Sequence, residues 1–258
     1  VRRSRIRRAD PNAMSALEHL AELRRRIIWS LGAVTVGAIA AYVVYPQLLH
    51  LLTEPLCEVE HQRVCTLYVT GPVDGFAVRL KVSGVAGLFV SSPIVLFELW
   101  RFVAPGLRPA ERRYTLGFVL ASVVLFATGG VVAWLVYPKA LGFFQGAAGA
   151  QVHPLYTPQS YLSLLLVLMV AFGVAFLFPV VLTSLELVGV LSPAALVRHR
   201  RAAWLGIIVV VAIVIPSNDP YSLTAMAVPL LAFYELSILA GKALTKGRPP
   251  SGTQEALG

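Results

Sequence analysis

Six long apolar runs separated by short polar stretches set the plan of this chain. They cover residues 27–45, about 76–100, 115–137, 161 to about 190, 203–215 and roughly 221–239. A helix rises about 1.5 Å per residue, so about 20 apolar residues cross a hydrocarbon core about 30 Å thick. The fifth run has only 13 residues. It covers about two-thirds of that distance and has to thin the bilayer or lean on its neighbours. The expected fold is an all-α integral membrane protein of six transmembrane helices, with the last two short and joined as a hairpin around "PSNDPYS".

Prolines punctuate this pattern. Pro46 and Pro138 each follow a Val-Tyr pair and are expected to end the first and third spans, because proline cannot continue a hydrogen-bonded helix. Pro93, Pro179 and Pro229 fall inside the second, fourth and sixth spans, where they predict kinks and helices curved around a concave face. The stretches 46–56 and 138–150 are amphipathic and are expected to lie as short helices along the membrane surface.

Composition agrees with a bilayer as solvent. The 258 residues are 57% hydrophobic and 14% charged, against roughly 25% charged for a soluble domain, and the mean hydropathy is +0.73. The net charge of +9 would suit nucleic acid only if it were spread over a soluble face. Instead, 18 of the 22 lysines and arginines fall on one side of the six-span plan. The positive-inside rule then places both termini in the cytoplasm, and no nucleic-acid partner is expected. The chain divides into a basic cytoplasmic segment 1–26, a membrane domain 27–241 and a polar, disordered tail 242–258. The basic start and Ala38-Ile39-Ala40 resemble a cleaved signal peptide. Apolarity continues through Tyr45, however, so the first span is expected to stay.

Cys57 and Cys65 both lie in the first outer loop, "LTEPLCEVEHQRVCTLYVTGP". That side is oxidising, so a disulfide is expected, with two free thiols as the alternative. A metal site is discounted, since His61 is the only nearby imidazole and there is no CxxC. There is also no nucleophile–base pair of recognisable spacing and no phosphate-binding glycine loop, so neither an enzyme nor a cofactor is expected.

The informative charges are acids near the basic side: Glu18, Glu22, Glu98, Glu111, Glu186 and Glu235. Local salt bridges are the plain reading, such as Glu22 with Arg25 or Arg26, or Glu111 within "ERR". A more specific reading comes from the blocks "HLAELRRRI", "EPL", "SSPIVLFELWRFVAPGLRPAERR", "FGVAFLFPVVL", "LSPAALVRHRR" and "IPSNDPYSLTAMAVPLLAFYEL". In these the chain resembles the TatC family, the multispanning receptor of the twin-arginine protein translocase, from about Ala16 to Lys242.

The resemblance implies a receptor for paired-arginine signal peptides of folded cargo. It also implies assembly with small single-span partners of TatA/TatB type, as homo- and hetero-oligomers in the bacterial cytoplasmic membrane, with export driven by the membrane gradient. A guanidinium pair calls for carboxylates in bidentate geometry. Glu22 and Glu111 match family positions linked to signal recognition, with Glu98 as a third carboxylate, Arg24 orienting the site, and Phe102 and Pro105 shaping the loop. Pro55 and Pro93 match structural prolines. Asp219 matches a family aspartate, and its position before "PYSLT" suits a helix cap. One departure stands out: many relatives carry a glutamate or glutamine where this chain has Leu177, a position associated with partner-helix contact. Glu186 lies nine residues on and points to the opposite face, while Ser184 shares the face but is expected to bond its own backbone. The rival reading is a secondary transporter of a small solute, which would need broken helices and polar groups at mid-membrane in repeated halves. Neither feature is evident.

Overall fold

A computed structural model describes residues 16–60, 67–103, 115–149, 156–217 and 219–245. All regular structure among them is helical: α1 (Ala16–Val43), α2 (Tyr45–Glu60), α3 (Asp74–Val103), α4 (Thr115–Ala148), α5 (Pro158–Phe176), α6 (Phe178–Val188), α7 (Pro193–Arg198), α8 (Arg200–Val214) and α9 (Pro220–Thr245). Five stretches are long and apolar enough to cross a membrane: Leu20–Val43, Asp74–Phe102, Thr115–Ala148, Pro158–Leu187 and Pro220–Leu239. The fifth apolar run forms α8, whose 15 residues reach only about 22 Å. Of the final pair only α8 is short, because α9 runs for 26 residues.

Of the two prolines expected to end spans, one does so and the other does not. The chain turns at Val44 and restarts as α2 at Tyr45, so Pro46 enters a new helix as predicted. At Pro138, by contrast, α4 continues without a break through Ala148, and among the described residues no separate surface helix follows. Proline removes one backbone donor, and burial of Tyr137, Ala140 and Leu141 on both sides of it outweighs that single loss.

At two internal prolines, Pro55 and Pro93, the carbonyl left without an amide is taken up by a side chain. Pro55 cannot donate to Leu51, and the Trp134 indole of α4 donates to that carbonyl instead at 3.1 Å. Pro93 likewise abandons Phe89, whose carbonyl accepts from the Ser92 hydroxyl at 2.7 Å. The fourth span is interrupted at Leu177, just before Pro179, where the Leu177 amide bonds back to Val174 at 3.1 Å.

α1 and α3 run antiparallel and touch along most of their length. Arg26 meets Glu98, Gly37 meets Gly87, and the Arg79 guanidinium donates to the Tyr42 carbonyl at 3.0 Å while lying 4.0 Å over the Tyr42 ring. The glycine crossing is tight, since a Cβ built on Gly37 would lie 2.8 Å from the Gly87 carbonyl oxygen. A second crossing joins α4 to α5, where a Cβ on Gly129 would lie 2.7 Å from the Phe172 carbonyl carbon. Small residues at such points let helix backbones approach, which is how helices pack where lipid is as apolar as the protein.

The core sits among α2, α4, α5 and α9, where hydroxyls of buried tyrosines tie the helices together. Tyr137 donates to the Tyr161 carbonyl at 2.8 Å, Tyr161 to Leu52 at 3.0 Å and Tyr234 to Leu196 at 2.8 Å. Cys57 in α2 is disulfide-bonded, and Cys65, the chain's other cysteine, lies outside the described residues.

Asp219 heads α9 and is fully buried. Its Oδ1 accepts from the Ser222 amide at 2.7 Å and its Oδ2 from the Ser217 hydroxyl at 2.6 Å, with Pro220 at the first helical position. Asp219→Ala orphans both donors and is expected to destabilise the protein by about 1–3 kcal/mol, read as a lowered melting temperature in detergent. Asp219→Asn keeps the amide acceptor and is expected to lose less. Equal loss from both variants would mean that the carboxylate charge, not the cap, holds this turn.

Candidate functional site

Glu22 and Arg26 are one helical turn apart on α1, so their side chains share a face. That face meets the last turns of α3, which carry Glu98, Arg101 and Phe102. The Arg26 guanidinium pairs with Glu22 through Nη2 and donates to Glu98 Oε2 through Nη1 at 3.2 Å. One guanidinium therefore bridges two carboxylates from different helices. All three side chains are largely withdrawn from solvent, with exposures of 13%, 24% and 17% for Arg26, Glu22 and Glu98. Such charge-assisted bonds in a reduced dielectric are the strong kind.

The three residues line a polar pocket of about 440 Å³, together with Arg25, Trp29 and Arg101. An apolar slot of about 380 Å³ adjoins it, formed by Leu23, Ile27, Leu31, Val95, Leu99 and Phe102, with Arg26 and Glu98 common to both. A charged cup thus opens beside a greasy trough. The Trp100 indole donates to Ser122 on α4 at 2.7 Å and anchors the α3 end behind the site.

The other expected site residues are scattered. Arg24 is exposed and does not line the pocket. Glu111 and Pro105 lie outside the described residues, and the side chain of Glu18 does as well. Glu235 is on α9, paired with Arg200 at 2.6 Å. Leu177 is half-buried at the α5–α6 break, and the Ser184 hydroxyl donates to its own helix at Val181, 2.7 Å away. Glu186 is buried, and neither carboxylate oxygen has a hydrogen-bond partner among the described residues. No group of three potential metal ligands occurs among them.

Arg26 is the residue that sequence reasoning undervalued. Its spacing from Glu22 is visible in the sequence, but its second partner is 72 positions away. Only the antiparallel register of α1 and α3 brings the two carboxylates onto one cation.

Together, the helical bundle and its charged pocket define a multispanning α-helical membrane protein with a carboxylate-lined cavity at the polar end of its first two spans. The chain belongs to the TatC family: residues 18–229 match the model described as Sec-independent protein translocase protein (TatC). It is 35% identical over 247 residues to the TatC protein of Frankia casuarinae, covering 92% of this chain and 68% of that relative. It is 36% identical to the TatC protein of Koribacter versatilis, covering 92% of this chain and 88% of the relative. A crystal structure described as the twin arginine translocase receptor TatC in DDM superposes with a TM-score of 0.73 at 34% identity, covering 87% of this chain and all of that one. The chain is thus a translocase component and a multi-pass bacterial membrane protein.

Proposed function

We propose that this chain is the core receptor subunit of a twin-arginine translocase. It binds paired-arginine signal peptides at its cytoplasmic face and assembles with small single-span partners of TatA/TatB type to export folded proteins. Both termini face the cytoplasm, in line with the distribution of arginine and lysine. The observation that carries the reading is the Arg26 guanidinium held between Glu22 and Glu98. A pocket that holds one guanidinium on two carboxylates has the chemistry to hold another, and Arg26 occupies it until a ligand arginine displaces it. The adjoining apolar slot suits the second part of such a ligand, because signal peptides carry an apolar run after their basic start. Glu111 supplies a further carboxylate from the α3–α4 connection.

Binding of a fluorescent paired-arginine signal peptide to the purified protein in detergent tests this. Lysine cannot reproduce the bidentate fork, so a paired-lysine peptide is expected to bind at least about tenfold more weakly. Glu111→Ala is expected to weaken the arginine peptide in the same direction. Equal affinity for both peptides would make the acids ordinary salt-bridge partners and overturn the reading.

A further inference from the structure

We propose that the gap between α5, α8 and α9 is a binding site for one anionic phospholipid, with an acyl chain in the gap and the phosphate on Arg200. The inference does not depend on the signal-peptide reading. The gap is a cavity of about 700 Å³ walled by Val170 and Val174 of α5, Gly206, Val210 and Val214 of α8, and Met226 of α9. Its lining is apolar apart from the Tyr234 hydroxyl, which is already committed to the Leu196 carbonyl. Val174 and Val210 are each 57% exposed, so the cavity opens sideways into the bilayer.

Its depth matches the occupant. Along α8 the lining runs from Ala203 to Val214, which at 1.5 Å per residue is about 16 Å, or one leaflet of a hydrocarbon core about 30 Å thick. That is the reach of one acyl chain within its own leaflet.

The mouth supplies the charge. Positions 200, 203, 207, 210 and 214 fall on one stripe of α8, so Arg200 stands where the apolar lining ends. Its Nε donates to Glu235 at 2.6 Å, and the Trp204 indole donates to the same carboxylate oxygen at 3.0 Å. The Arg200 terminal nitrogens carry no hydrogen bond among the described residues, and its side chain is half exposed. Arg198 and Arg201 flank it, exposed and without an ion pair among the described residues. Against these three cations stand Glu235 and the buried Glu186, so the mouth is net positive. An apolar slot one leaflet deep under a basic, tryptophan-bearing rim has the chemistry of an anionic lipid site.

Native mass spectrometry with titrated phosphatidylglycerol and, separately, phosphatidylcholine tests the proposal. The parent protein is expected to retain one phosphatidylglycerol per chain in preference to phosphatidylcholine. Gly206→Phe is expected to abolish retention, since a Cβ at Gly206 meets nothing within 4 Å and a ring there projects into the slot. Arg200→Gln and the double variant Arg198→Gln/Arg201→Gln leave the slot open, and each is expected to cut the preference about fivefold per charge removed. Helix content by circular dichroism confirms that each variant is folded. Retention by folded Gly206→Phe equal to the parent, or an unchanged lipid preference in both arginine variants, would overturn the proposal.

Discussion

Glu22→Gln is expected to weaken binding of a paired-arginine signal peptide by at least about tenfold, a loss of about 1.4 kcal/mol. The amide keeps the shape and packing of the side chain and removes only its charge. Removing one partner of a hydrogen-bonded charge pair costs about 2–5 kcal/mol when the pair is fully buried. Glu22 is a quarter exposed, which brings the expected loss to just below that range. Glu98→Gln is expected to act similarly. Because both carboxylates serve the same guanidinium, the double variant loses less than the sum of the two single losses. Arg26→Gln has the opposite sign: it vacates the two carboxylates, and the peptide is expected to bind more tightly. Fluorescence anisotropy at low and moderate salt reads all four variants. Parent-like binding by both glutamine variants would move the arginine site away from this pocket.

Gly87→Leu is expected to be the most damaging single substitution on α3. A Cβ at Gly87 would lie 2.7 Å from Ala38 Cα and 2.9 Å from Ala38 Cβ, so the clash is against the backbone of α1, which cannot rotate aside. Overpacking of this kind costs about 3 kcal/mol or more and lowers the melting temperature by roughly 10 °C. α1 packs chiefly on α3. The damage is therefore expected to separate Arg26 from Glu98 and to abolish peptide binding as well. Gly32→Leu on α1 and Gly84→Leu on α3 are the controls, since a Cβ at either meets nothing within 4 Å. Both are expected to melt and bind like the parent. If Gly87→Leu did so too, the α1–α3 crossing would not be what holds the site together.

Local features were legible in the chain. Long apolar runs mark the helices because a bilayer imposes length and apolarity directly, and the proline before which the fourth span breaks is visible as "FLFP". The Asp219 cap is legible for the same reason, being written in adjacent residues. Tertiary compensation is not local. Pro138 reads as a helix end because proline lacks an amide, yet the burial that carries α4 through it comes from distant residues. Glu22 and Glu98 could each be singled out, but their shared cation required the register between α1 and α3. The burial of Glu186 likewise depends on how α6 packs on α9.

The first span carries a consequence for the order of synthesis. Only 11% of its membrane window is buried, although it lies along α3. α1 leaves the ribosome before α3 exists, and it must reside in the lipid alone until its partner arrives. A helix apolar on nearly every side can do this, whereas one with a polar inner face would be left with groups that lipid cannot satisfy. Glu22 and Arg26 sit four residues apart, so the charges at its end can neutralise each other during that wait. Glu98 joins them only when α3 is inserted. On this account the pocket is assembled in two stages, and its second carboxylate arrives with the helix that fixes α1 in place.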